Sequence, residues 1–537
     1  METLKRFVLL SAIFSLFLFQ AARSQHHAHQ HGKVNFKTSC APAANERFAT
    51  GLALLHHMMY EQAEAEFAAA AKADPQCPMA RWGIAMSVIH PLWGERPKDA
   101  ELKRGQETLA AARNLSAYKR EEAYITAIEA FFRNWEATAY GDQLLALEAG
   151  LKKLHEAYPE DVDAAAFYAL GQLATAPKTD KTFAHQRSAG AMLEKLHQKE
   201  PNHPGLFHYI IHAYDNPVLA DKALPVARGY DKIAPDVPHA LHMPSHIFVR
   251  LGHWPDAISW NTRSAAAALR QPVGNATSMH YAHALDYLIY AYLQQGQDKK
   301  AREAVEKVRA VSNFQPGFAT AYGIAAGPVR YSLERGDWKE AAAMPLRSHS
   351  TFPWEKYPAA EAITYFARGI GSARSGDPSG AREAIAGLNK LHDQMEQAQE
   401  SYWAVLADAQ RKSIEAWLAL SDGDKERAIR LMEEAADREE SVDKHPVTPG
   451  AVLPARELLG DMLLQLNKPD KAMVAYEASL KASPNRLNSL YGAAHAAELA
   501  GNRQKASAYY AKVVNLAAGA DADRASLAHA KKFVAKK

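Results

Sequence analysis

Two short stretches place residues able to bind a metal close together: "HYIIHAYDNP" at 208–217 and "HALHMPSHIF" at 239–248. Each holds an HxxxH pair, His208 with His212 and His242 with His246. On a helix, residues i and i+4 share a face and i+7 continues it, so His208, His212 and Asp215 fall in one stripe. Imidazole and carboxylate converging on one wall form the donor set of Zn, Fe, Mn, Cu and Ni sites. The zinc-protease pattern HExxH is excluded, because Tyr209 stands where its general-base glutamate would be. The two pairs are related by a period: Pro204 and Pro238, His208 and His242, and His212 and His246 are each 34 residues apart.

That period belongs to the elements that must position the histidines. "YEQAEAEFAAAAKADP" carries Ala63, Phe67 and Pro75, and "PDKAMVAYEASLKASP" repeats the rule with Ala472, Tyr476 and Pro484. "LGHWPDAISW", "RGDWKEA", "SGDPSGA" and "AGNRQKASAYY" supply turns between paired helices, and Ala63, Ala257, Ala341 and Ala472 let neighbouring helices approach closely. No segment alternates with the period of a strand. Over nearly all of residues 44 to 520 the chain resembles the tetratricopeptide repeat family, with first helices beginning near Ala44, Pro78, Pro204, Pro238, Ala282, Tyr322, Ala362, Leu453 and Leu487. Segments 110–200 and 395–450 read as helical but match the repeat poorly. The resemblance implies an all-α, right-handed superhelical solenoid of helix–turn–helix units with a concave inner wall.

It also implies which stripe faces that wall, since positions 2, 5, 9, 12 and 13 of each first helix line the groove in this family. His208, His212 and Asp215 take positions 5, 9 and 12 of one repeat; His239, His242, His246 and Arg250 take 2, 5, 9 and 13 of the next. His283, Asp286 and Tyr290 take 2, 5 and 9 of the repeat after that. His56 and His90, also 34 apart, both sit at position 13, Arg330 at position 9 and Glu457 at position 5 of theirs. His208, His212, Asp215, His242, His246, His283 and Asp286 are therefore the candidate ligands of a transition metal, Zn, Fe, Cu or Mn, on a water-accessible wall. His56, His90, His239, Arg250, Tyr290, Arg330 and Glu457 border the groove. Seven ligands exceed one tetrahedral shell, so one ion takes a subset or two ions share the set.

Two other readings stay open. Duplicated repeats also duplicate packing residues, and imidazoles can link neighbouring helices by hydrogen bonds. A tetratricopeptide groove is, besides, a usual seat for a peptide or protein partner. Trp82 and Trp93, around His90, read as a ligand wall or as core. "HPVTPGAVLPARELLGD" is an irregular, proline-rich stretch that reads as a repeat junction or an entry lid.

The remaining sequence sets outer bounds. At 537 residues with 48% hydrophobic and 23% charged residues, the chain exceeds one compact core, as a repeat array does. A net charge of +3 without a basic patch argues against a nucleic-acid partner. Lys5 and Arg6 precede an apolar run from Phe7 to Phe19, and Ala22 and Ser24 fit a cleavage site before Gln25, so 1–24 reads as a signal peptide and the chain as periplasmic or secreted. No later run is apolar enough to anchor it in a membrane. Residues 25–43, with His26, His27, His29 and His31, read as a flexible leader that collects metal or does nothing. Repeats at 44–200, the histidine-bearing repeats at 201–320, repeats at 321–520 and a tail at 521–537 complete the division. In an oxidising compartment Cys40 and Cys77 are able to pair, and spacing alone leaves the pairing open. No nucleophile elbow, phosphate loop or dinucleotide fingerprint is present, so any catalysis would rest on the histidines.

Overall fold

A computed structural model describes residues 30–93 and 96–536. The expected signal segment and His26, His27 and His29 lie outside the described residues. Within them are 26 α-helices, two short 3-10 turns and no strand beyond two isolated bridges. The helices pair into hairpins stacked side by side, from Pro42–His56 with Tyr60–Ala73 to Leu487–Leu499 with Arg503–Leu516, and Ala525–Ala535 caps the end within the expected tail. The stretches that matched the repeat poorly form the same unit: Val162–Thr175 pairs with Ala184–Lys199, and Ser401–Ser421 with Lys425–Glu440.

Local chemistry explains the punctuation. Proline opens helices at Pro42, Pro78, Pro204, Pro238, Pro358 and Pro469, where a missing N–H costs nothing. The large residue of the repeat then locks adjacent hairpins together. Phe67 lies where a side chain on Gly51 or Gly83 would stand, a Cβ there falling 2.8 and 2.4 Å from its ring. Tyr476 does the same between Gly460 and Gly492, at 2.7 and 2.3 Å. Each hairpin buries much of its apolar face against its neighbours, which is why the array coheres as a stack.

The superhelix closes on itself. Gly252 (φ +66°) ends its helix in the left-handed region, and a Cβ there would meet Pro484 O at 2.4 Å. Beside it Trp254 Nε1 donates to Asn485 O at 2.8 Å. Arg486 pairs with Glu457 and Glu334 and reaches the Tyr290 hydroxyl, while Asn488 Nδ2 donates to Glu334 O at 2.9 Å. Into the remaining hollow folds the irregular 441–454 segment. Arg250 holds Asp443 (3.1 Å), and Arg330 donates to the carbonyls of Gly450 (2.7 Å) and Ala451 (2.9 Å) and to Thr448 Oγ1 (2.9 Å). The concave wall expected to face water is thereby interior: His208 is 0%, His242 and His246 1%, and His283 3% exposed.

At the N-terminal side Cys40 and Cys77 form a disulfide, tying the approach to the first hairpin to the start of the second. Closing a loop of this length stabilises the fold by about 4 kcal/mol in the chain-entropy account. The described part of the expected leader packs against the body: Lys33 N donates to Asn202 O at 2.9 Å, and Phe36 is buried against Phe48 and Tyr124. No helix among the described residues is long and apolar enough to cross a membrane.

Candidate metal centre

The helix Pro204–Tyr214 stops at Asp215 because Pro217 follows, and the residue before a proline avoids the helical region. Asp215 thus ends the helix with its carboxylate directed at the next hairpin. Arg250 Nε donates to its Oδ1 at 2.8 Å, and Lys444 Nζ to its Oδ2 at 3.0 Å. Burial alone would raise its pKa, but Lys444, Arg250 and His246 hold it well below the ordinary carboxylate range, so it is ionised.

In the next hairpin Pro244 interrupts the helical ladder between the two histidines, dividing Pro238–His242 from Pro244–Leu251, and His246 N turns to Met243 O. His242 and His246 point into the hollow with their protonation fixed from behind. Asn261 Nδ2 donates to Ala257 O (2.8 Å) and Ser245 Oγ (2.6 Å), which orients its amide so that Oδ1 accepts from His242 Nδ1 at 2.8 Å. Asp215 Oδ2 accepts from His246 Nδ1 at 2.9 Å. With both protons on Nδ1, the lone pairs sit on Nε2, and the two Nε2 atoms face each other at 3.1 Å. Burial keeps both rings below the usual imidazole pKa, at His246 against the pull of Asp215, so neither ring supplies a second proton near neutral pH. Facing lone pairs at this distance repel unless a cation lies between them. Two nitrogens each ~2.0–2.1 Å from one ion stand roughly 3 Å apart.

His283, from Met279–Gln294, completes a group of three. Its ring centre lies 4.1 Å from that of His242, and the three ligand nitrogens lie within 4.8 Å of one another. Burial, followed by the neighbouring imidazoles, holds it neutral. Three neutral nitrogens with two rings anchored by an amide oxygen and a carboxylate are what a metal centre with an open position needs. His208, His212 and His239 make a second group of three on the adjoining hairpin face, again within 4.8 Å. Repeat geometry therefore brings the paired histidines together, as the 34-residue spacing anticipates.

Other sequence candidates are placed differently. Asp215 stands behind His246, not among the facing nitrogens. Asp286 turns to Arg330 at 2.9 Å, fully buried, because a side chain from the neighbouring hairpin reaches it first. Arg250 and Arg330 clamp the 441–454 segment, Glu457 is bound to Arg486 (2.7 Å), and Tyr290 lies between Arg330 and Arg486. His56 bonds Asp163 (2.9 Å) and Tyr209, and His90 bonds Ser87 O (3.0 Å) while stacking on Tyr60. Trp82 is core, whereas Trp93 packs on His239, His280 and His283. Asn261, Lys444, His280 and His445 were not singled out from the sequence. Asn261 lies on a second helix outside the groove positions, while His445 opens the proline-rich stretch, whose irregularity is the only signal there, and Lys444 immediately precedes it.

No protein-family model and no curated protein matches the chain. Among solved structures it is similar to a monomeric mutant of IFIT1 bound to m7Gppp-AAAA, at 14% identity and TM-score 0.39 over 81% of this chain and 90% of that one. It is similar to the human IFIT1 dimer with m7Gppp-AAAA at 13% identity and TM-score 0.36, covering 78% and 87% of the two chains. A tetratricopeptide repeat protein from Parabacteroides merdae aligns at 15% identity and TM-score 0.30, over 56% of this chain and 98% of that one. The hairpin stack described above rests on this chain's own helices, and nothing about the histidine site rests on these neighbours.

Proposed function

We propose that this chain is an exported helical-repeat protein that holds a transition metal ion on His242, His246 and His283, with Asp215 and Asn261 orienting two of the rings. The observation that carries this reading is the pair of Nε2 atoms facing each other at 3.1 Å with both Nδ1 atoms already committed as donors. Export is supported by the basic-then-apolar N-terminal run and by the Cys40–Cys77 disulfide.

A bound ion would supply a Lewis acid or a redox partner, which suits metal-assisted hydrolysis or oxidation. The chain's own residues bind and orient. Asp215 and Asn261 keep the protons on Nδ1, the packed hairpins exclude bulk water, and Arg250 and Lys444 hold Asp215 in place. A peptide lying along the concave wall, the alternative for this kind of fold, would compete with the chain's own 441–454 segment. The neighbouring cavity of ≈ 250 Å³, lined among others by Arg250, Tyr290, Tyr322 and Trp403, is nearer the size of a small molecule.

Elemental analysis of the mature protein, as purified and after reconstitution with Zn, Fe, Cu or Mn, tests the reading. At least one equivalent should be retained by the wild type and lost from His242→Ala and His246→Ala. A wild type that retains none after reconstitution refutes it.

A further inference from the structure

We infer that the hollow takes two monovalent copper ions side by side, one on His242, His246 and His283 and the other on His208, His212 and His239, with the Met58 thioether facing the space between. The first ion rests on the function proposed above; the second ion and the identity of the metal are new.

The second group has its own geometry. His208 Nδ1 donates to His56 O at 2.7 Å, leaving its Nε2 lone pair to face His212 Nε2 at 3.1 Å. His239 is 3% exposed and neither of its nitrogens has a partner. Leaving a buried polar atom unpaired costs about 1–3 kcal/mol, which an ion at this position would offset. The two groups adjoin: ring centres of His212 and His246 are 5.6 Å apart, and those of His239 and His242 6.0 Å. A cavity of ≈ 20 Å³ opens between them, lined by His212 and His239 from one group, His246 and His283 from the other, and Met58. It has room for about one small bridging ligand.

Charge and donor type select the metal. The six ligands are neutral imidazoles, and both cysteines are spent in the disulfide. The nearby carboxylate, Asp215, is already offset by Arg250 and Lys444. Two divalent ions would bring four positive charges into a buried site without a carboxylate or thiolate ligand; two copper(I) ions bring two. Imidazole and thioether donors suit copper, and the thioether favours its monovalent state.

Met58 adds an observation independent of the histidines. It takes φ +56° just beyond the helix Pro42–His56, where its N–H bonds Leu55 O (2.9 Å) and that of Met59 bonds Leu54 O (3.0 Å). This left-handed position after a helix usually belongs to glycine. Here a buried methionine that lines the cavity holds it at some backbone cost.

The test is an anaerobic titration of the whole mature chain with Cu(I) against a chromophoric Cu(I) chelator. Circular dichroism and thermal unfolding serve as controls that each variant is folded. The wild type should take two Cu(I) that excess Zn(II) does not displace. His239→Ala and His212→Gln should each take one, the latter chosen because its partly exposed ring is the easier to replace. Met58→Leu should keep two with affinity lowered about tenfold. A wild type that takes one ion, lost in His246→Ala and unchanged in His239→Ala, overturns the pair while the single centre stands. Preference for Zn(II) overturns copper while leaving a metal site, and a wild type that binds no metal overturns both readings.

Discussion

Two of the groups of three side chains inside this solenoid are finished differently. In the first, His56 and His203 both direct Nε2 at one oxygen of Asp163, at 2.9 and 3.1 Å, so a carboxylate of the chain itself occupies the point on which the rings converge. Burial pushes Asp163 up, but the two imidazoles outweigh it and hold the acid below its ordinary range. In the second, His242, His246 and His283 converge with no acid among them, since Asp215 has been drawn behind His246. One group is complete as a structural joint between hairpins. The other leaves its facing nitrogens without an acid of the chain between them. Burial does not separate the two; the position of the carboxylate does.

That contrast can be broken most directly at the rings. His246→Ala should lose the ion held with His242 and His283, read by elemental analysis as one equivalent less than the wild type, and an unchanged metal content would erase the distinction. Asp163→Ala should do the reverse, costing about 3–5 kcal/mol in denaturant unfolding because it strips a buried partner from two imidazoles. Metal content per folded chain should stay as in the wild type.

Smaller changes sharpen the comparison. Asp215→Asn keeps the shape but weakens the anchor of His246, and should lower metal affinity about 10–100-fold by competition titration. A matching loss in Asp163→Asn would mean that the first group also holds an ion. Acid gives the gentlest probe. Burial holds His208 at about 3 and His280 at about 4, below the unfolded value of 6.5. The unfolded chain therefore binds the extra protons first, and the stability these groups contribute is whole above pH 6.5. It falls by about 1.4 kcal/mol per pH unit for each as pH drops toward those values. Urea melts from pH 7 to 4 should follow that slope, and metal loading should shift the loss to lower pH.

Much of this was legible in the residues. The 34-residue spacing of His208 with His242 and of His212 with His246 carried the convergence of the pairs, and Ala63, Phe67 and Pro75 carried the hairpin register. The stripe that joined Asp215 to His208 also placed it near the site. What the stripe could not give was which neighbour each acid would choose, because Asp286 answers to Arg330 from the next hairpin and Asp215 to Lys444, 229 positions away. Closure was equally hidden. It depends on the summed rotation of many hairpins, which lets Arg486 meet Tyr290 across 196 positions, and no local pattern encodes that sum. The wall expected to be wet is therefore interior.

The 441–454 segment leaves the ribosome long after every imidazole of both triads has been made. In the folded chain Lys444, Arg250 and Arg330 fasten it across the mouth. If the rings hold an ion, their nitrogens would set how tightly it is held, and opening of that strap would set how long it stays.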